Sequence, residues 1–511
     1  MSPIWTPSRR GLLQAALAAG CAPALLRHAS AATESPFALG IASGCPRPDR
    51  LVLWTRLIGA ALPAEVTVHW ELAEDEGFQR VVARGSELAE PGTAHSVHAE
   101  PQGLKPDRWY WYRFTALGER SPVGRTRSAP AADAAPGRLR FAIASCQRWD
   151  HGEYAAWRDM AEQELDLVLF LGDYIYEYAT PADSRARRRH QGGLCRSLAD
   201  YRQRYAQYKS DPQLQAMHAR APWILTWDDH EVENDWAGDV SQNLEPDFGL
   251  RRAAAAQAYW EHQPFPKAMR PRGAELQLAA RYDWGSLARL ITVDDRSWRD
   301  PQACPKPGRG GSNTVPLQDC PALLEPARSL LGAAQERWLK DSWDPQRPWN
   351  LLAQQTLMAR FNRQDPAEGP GIYWTDGWDG YPAARERLLR DMQARRPPNA
   401  VVLGGDVHAN YVADLKLDWA SEKAPVLASE FCGTSISSHG SAQEKLERAL
   451  PLNPHIRYGR SDQRGYMRFE LGAGRLEAEL RSVLSPWDPH SALQSAARFV
   501  VEAGRPGAQA A

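Results

Sequence analysis

Apolar runs in this chain repeatedly end at residues that bind metal ions or move protons. Phe141-Ala142-Ile143-Ala144 leads into Ser145-Cys146-Gln147, and Leu167 to Leu171 leads through Gly172 to Asp173. Ile224 to Trp227 runs into Asp228-Asp229-His230-Glu231-Val232-Glu233-Asn234, Leu287 to Val293 into Asp294-Asp295-Arg296, and Val401 to Leu403 into Gly404-Gly405-Asp406-Val407-His408. A thiolate at Cys146 is a soft anionic ligand. Asp173 can bridge two cations, and a phenolate at Tyr176 favours a hard ferric ion. Asp406 and His408, two residues apart in extended chain, point to one face and can reach one metal centre. Acids packed around His230 raise its pKa and hold its proton, which suits a general acid or a charge stabiliser.

Each residue alone also has a plainer reading. A cysteine after an apolar run is commonly a buried structural residue, Tyr176 an aromatic packing group, and Asp228 to Glu231 a solvated acidic turn. Arg296 offers a bidentate phosphate contact or a salt bridge to its neighbouring acids. The Thr434 to Ser438 run invites comparison with a serine hydrolase, but no Gly-x-Ser-x-Gly elbow lies in it. His439 lies on a loop beside that run and could shape a pocket.

Those residues need elements to position them. The apolar runs at Leu139–Ala144, Leu167–Leu171, Ile224–Trp227, Leu287–Val293, Asn350–Ala353 and Val401–Leu403 read as strands buried on both faces. Helical stretches such as Tyr154–Glu164 and Ser197–Lys209 separate several of them, which is the pattern of an α/β domain. Ligands in such sheets bind at the carboxyl ends of the strands, where the chemistry-bearing residues stand. Ahead of them, Ala129 to Gly137 is a proline-bounded linker of small residues. From Phe37 to about Arg127 the chain alternates as short strands, among them Leu51–Thr55, Glu65–Trp70 and Trp109–Phe114. With Leu104-Lys105-Pro106 before the aromatic strand, this part predicts a small β-sandwich resembling fibronectin type III domains.

The 511 residues, 43% hydrophobic and 24% charged, exceed one simple domain. A formal net charge of -1 excludes a broad electrostatic grip on nucleic acid, so no stable nucleic-acid complex is expected. Residues 1–32 read as an address: Arg9-Arg10, an apolar run from Leu12 to Leu26, then Ala29-Ser30-Ala31. The pattern looks like a twin-arginine signal, making the twin-arginine export machinery a partner and the periplasm or exterior the destination. Lipidation at Cys21 is the alternative. No other segment approaches a transmembrane span. In an oxidising compartment Cys304 and Cys320 can bridge the Gly/Pro/Ser-rich stretch between them, and no CxxC supports a zinc ribbon.

Asp173, Asp229-His230-Glu231 and Asp406-Val407-His408 resemble the successive blocks of the metallophosphoesterases, and Ser145-Cys146-Gln147, Gly172-Asp173-Tyr174-Ile175-Tyr176-Glu177-Tyr178, Trp227-Asp228-Asp229-His230-Glu231, Trp378-Asp379-Gly380-Tyr381 and Thr434-Ser435-Ile436-Ser437-Ser438 resemble one branch of them in finer detail. Among these the chain is most similar to the alkaline phosphatase D branch. Cys146 stands where the wider family has Asp, and Asp406 where most members have His. The resemblance implies a four-layer α/β/β/α metallophosphoesterase sandwich at 138–511, preceded by a small all-β fibronectin III-like sandwich at 33–128 and the 129–137 linker. It implies Fe3+ and Ca2+ as cofactors. Cys146, Asp173 and Tyr176 would hold the iron, with Asp173 bridging; Asp229, Asn234, Asp406 and His408 would be further metal ligands. His230 matches the position that stabilises or protonates the leaving oxygen. The implied activity is hydrolysis of small phosphomonoesters and phosphodiesters by an exported enzyme. Phosphodiesterases dedicated to lipid or cell-wall polymer, and a non-catalytic surface binding protein, are the alternatives.

Overall fold

A computed structural model describes residues 35–511. The expected export signal at 1–32 and Cys21 lie outside the described residues. Four strands start the larger sheet from its middle: Leu139–Ala144, Leu167–Leu171, Trp223–Thr226 and Ile41–Gly44 run parallel in that order. Gly465–Leu471, Arg475–Val483, Leu493–Glu502 and Arg505–Ala510 extend one side antiparallel, and Val52–Arg56 and Ser96–Ala99 extend the other, giving ten strands.

A second sheet of seven strands carries Ala288–Thr292, Trp349–Ala353, Ala400–Gly404 and Ala428–Cys432 as parallel neighbours. Their side chains alternate between two cores. Leu290, Leu351, Ala353, Val401 and Leu403 pack with Phe141, Ile143 and Leu169 of the first sheet. Ile291, Leu352 and Val402 turn the other way, toward Leu339 and Leu389 of the helices Gly332–Lys340 and Pro382–Arg395. Period-2 alternation with both faces buried is why these runs read as continuously apolar. Every strand predicted for this part is present, within a residue or two of its expected ends. The Leu198–Lys209 helix begins at a capping box in which Ser197 and Asp200 satisfy each other's backbone N–H.

The N-terminal region is less separate than its sequence suggests. Val66–Ala73, Val81–Ala89, Trp109–Ala116, Glu119–Arg120 and Gly124–Arg127 form a sheet of their own. Tyr110, Tyr112 and Phe114 alternate inward from it and pack with Phe37, Ile41, Leu53 and Val97. Ile41, Leu53 and Val97 belong to strands of the ten-stranded sheet, so the second layer of this sandwich is shared with the α/β part. Pairing of Ile41–Gly44 with Trp223–Thr226 removes an exposed edge. At the corner, the Tyr110 hydroxyl accepts from the Lys105 N–H at 3.0 Å. Cys304 and Cys320 are joined by a disulfide with Cα atoms 6.1 Å apart. No helix among the described residues is long and apolar enough to cross a membrane.

Candidate metal centre

Loops at the carboxyl ends of strands from both sheets carry the reactive residues, and their backbones are strained. Cys146, Asp173, Asp406 and His408 all adopt positive φ, between 52° and 64°. Non-glycine residues there cost ~1 kcal/mol or more each, and such positions gather at functional sites. Glycines permit the close approach. A Cβ on Gly172, itself at φ +106, would stand 2.4 Å from the Asp228 Cβ; one on Gly405 would stand 2.5 Å from the Ser145 Oγ. Glu231 ties two of these loops together, accepting the backbone N–H of Asp173 at 3.0 Å and of Asp228 at 2.8 Å.

The result is a convergent donor set. Ligand atoms of Cys146, Asp173 and His408 lie within 4.8 Å of one another, as do those of Asp173, Asp229 and His230. The Tyr176 hydroxyl donates to Asp173 Oδ2 at 2.7 Å and lies 3.1 Å from His408 Nε2. His408 Nδ1 is 2.7 Å from the His439 carbonyl, which fixes the ring and leaves Nε2 for the centre. Asn234 donates its backbone N–H to Glu177 at 2.8 Å and stays partly exposed.

The acids outnumber the cations around them. Asp228 Oδ2, Asp229 Oδ1, Asp406 Oδ2 and both oxygens of Asp295 are buried without a hydrogen-bond donor. Burial, with the neighbouring carboxylates, pushes Asp406 well up and Asp229 to about 7. Burial and the adjacent Asp173 charge likewise raise the Cys146 thiol and the Tyr176 phenol. Thiol, phenol and orphaned carboxylates in one place form a set that ionises beside a cation, and this chemistry fits a multinuclear metal site. Asp173 is the exception. Burial opposes its ionisation, but His230 and His408 hold its pKa below the ordinary carboxylate range.

His230 is buried against Glu177, with Nδ1 2.7 Å from Oε2, and its ring packs over Tyr176 at 4.0 Å between centroids. Burial alone would lower its pKa; Asp229, Glu177 and Asp173 outweigh that and raise it to about 10. Arg296 is fully buried, with Nε 2.5 Å from Asp228 and Nη1 2.7 Å from Asp376. That is the geometry of an ion pair beneath the acids, the second of the two roles its sequence offered.

Sequence reasoning did not single out Glu177, Asp235, Asp376, Ser438 or Arg464. Asp235 and Asp376 bring ligand atoms within 4.8 Å of Asp229. Asp235 directly follows Asn234 and was within reach of the motif; Asp376 follows the three-residue strand Ile372–Trp374, too short to announce it. Ser438 can donate to the Cys146 carbonyl or to the Tyr176 hydroxyl, each at 2.8 Å. Arg464 donates to the His408 carbonyl at 3.0 Å. The serine run is therefore a brace for the cysteine loop.

A family model described as PhoD-like phosphatase matches residues 141–480, and one for the PhoD-like phosphatase N-terminal domain matches residues 20–130. Alkaline phosphatase D of Bacillus subtilis (strain 168) is 42% identical over 489 residues, spanning 92% of this chain and 82% of that protein. A solved structure of PhoD superimposes with a TM-score of 0.88 at 40% identity, over 93% of this chain and 92% of its own.

Proposed function

The chain belongs to the PhoD-like phosphatases, and from that membership we propose an exported, iron- and calcium-dependent phosphatase that cleaves phosphomonoesters and phosphodiesters. It is a metal-dependent phosphoric ester hydrolase with a mixed α/β core and an N-terminal β-rich region. Two facing sheets with helices outside them support the four-layer reading, and the Tyr110–Lys105 corner supports the fibronectin III-like one. The family matches at 20–130 and 141–480 support dividing the chain at the 129–137 linker. The twin-arginine pattern in 1–32 supports export to the periplasm or beyond.

The observation that carries the metal assignment is the convergence of Cys146, Asp173 and His408 within 4.8 Å, with the Tyr176 hydroxyl 2.7 Å from Asp173. Thiolate, phenolate and imidazole discriminate for iron, so Cys146, Tyr176 and His408 would hold Fe3+, with Asp173 bridging. Asp229, Asn234 and Asp406 offer the oxygen donors that suit Ca2+. When bound, such ions neutralise the phosphoryl oxygens and lower the pKa of water toward neutrality.

The remaining work falls to the chain. With Asp173 and Asp229 committed to cations, Glu177 is the group left to hold the His230 proton. Its bond to Nδ1 fixes the ring so that Nε2 presents a proton to the leaving oxygen. Arg296 offsets the acids from below without meeting substrate.

Elemental analysis of the exported protein, beside hydrolysis of a chromogenic phosphomonoester and its diester, tests this reading. Iron and calcium, with activity lost on chelation and in Cys146→Ala, are expected. Metal-loaded protein inert on both esters would overturn it.

A further inference from the structure

Beside the candidate centre the molecule opens into a cavity of ≈ 590 Å³, and Val407, between Asp406 and His408, forms part of its wall. Its lining is partly aromatic. Phe361 and Tyr411 meet edge to face with centroids 5.6 Å apart, and half-buried Trp374 lines the same space. Arg363, Lys445 and Arg448 line it too, all three exposed. Arg363 is engaged, its guanidinium 4.8 Å from the Phe361 ring centroid and donating to the Phe361 carbonyl at 3.4 Å, whereas Lys445 and Arg448 have no carboxylate within ion-pair distance among the described residues. Asp379, the acid in the lining, is taken up by Arg385 at 2.7 Å and by the Phe361 N–H at 2.9 Å. Lys445 and Arg448 are three apart on the Gln443–Ala449 helix and so share a face. Arginines elsewhere, such as half-buried Arg460 and exposed Arg475, hold acids of their own.

We propose that this cavity is a specificity subsite for the organic group of the ester, built for an aromatic ring that carries a second anionic charge, as a nucleotide does. The inference rests on the phosphatase reading above. The volume lies in the range of small-molecule sites. Aromatic walls stack on a planar ring at little entropic cost, and the unpaired Lys445 and Arg448 beside them complement a second anion. An uncharged alkyl ester would use neither feature.

Three diesters with one leaving group, 4-nitrophenolate, separate the contributions: methyl 4-nitrophenyl phosphate, thymidine 5′-(4-nitrophenyl phosphate), and the latter with a 3′-phosphate. The expected kcat/KM rises roughly tenfold from methyl to nucleoside through stacking. It rises about fivefold more with the 3′-phosphate, an increment that salt erodes. In Lys445→Ala/Arg448→Ala the ratio between the two nucleoside esters collapses toward one, while Lys445→Arg/Arg448→Lys retains it. Equal kcat/KM for all three esters, or a ratio unmoved by the alanine pair, would overturn the subsite and leave the phosphatase reading standing. A metal-loaded protein inert on all three would overturn both.

Discussion

His230 and Glu177 are joined at 2.7 Å in a pocket that buries both, although they lie 53 residues apart and on loops after different strands. The carboxylate accepts at Nδ1 through one oxygen and takes the Asn234 N–H through the other. It therefore orients the candidate catalytic imidazole and the loop of a candidate ligand together.

Glu177→Gln keeps the shape and removes the charge. The expected outcome is a fall in kcat of about 10²-fold with KM little changed, because the group acts through His230 on the transition state. Steady-state kinetics with metal content measured in parallel checks this. A variant that had lost its metal instead would assign Glu177 to holding the centre.

Tyr176→Phe and Cys146→Ala address the iron. Loss of the phenolate is expected to abolish the visible absorption of a ferric–phenolate site while iron remains, whereas loss of the thiolate lowers iron content itself. Absorption spectra and elemental analysis read the two apart. An unchanged spectrum in Tyr176→Phe would remove Tyr176 from the ligand set.

Gly405→Ala tests the closeness of the two sheets' loops. The new Cβ would meet the Ser145 side chain at 2.5 to 2.8 Å, a forced displacement costing ~1–3 kcal/mol. Because Cys146 is next in sequence, activity is expected to fall further than the melting temperature alone would explain. Thermal unfolding and kcat on one preparation compare them.

The Cys304–Cys320 bridge closes a span of 16 residues. Replacing both cysteines by serine is expected to destabilise the chain by ~3 kcal/mol. Denaturant unfolding with and without reductant measures it, and reductant should leave the variant unaffected.

Acid should unfold the protein partly through buried neutral imidazoles. Burial, chiefly, lowers His98 to about 3 and His455 to about 4. Their folded pKa values lie below the unfolded one, so their stabilisation is complete above pH 6.5. It is lost as pH falls toward those values, at ~1.4 kcal/mol per unit for each ring. His98→Phe keeps the stack on Trp260, centroids 4.1 Å apart, but gives up the bond to the Phe265 carbonyl. It is expected to be less stable at neutral pH by ~1 kcal/mol and to lose less between pH 6.5 and 3. Melting temperatures across that range give both slopes.

Strand positions, the helical stretch Ser197–Lys209 and the order of the candidate ligand blocks were legible in the sequence, because buried strands and helices leave local signatures. So were Cys146, Asp173, Tyr176, Asp229, Asp406 and His408, since each stands just past an apolar run. Sequence spacing alone left the role of Arg296 open and did not reveal Glu177 as the partner of His230. Those depend on which loops meet across two sheets, as do the placing of Asp235 and Asp376 beside Asp229 and the sharing of Ile41–Gly44 with the α/β part. A run of residues fixes its own period and its own punctuation. Which two runs come together is settled by packing over long separations, where burial and unpaired charge decide the outcome and no local pattern records it.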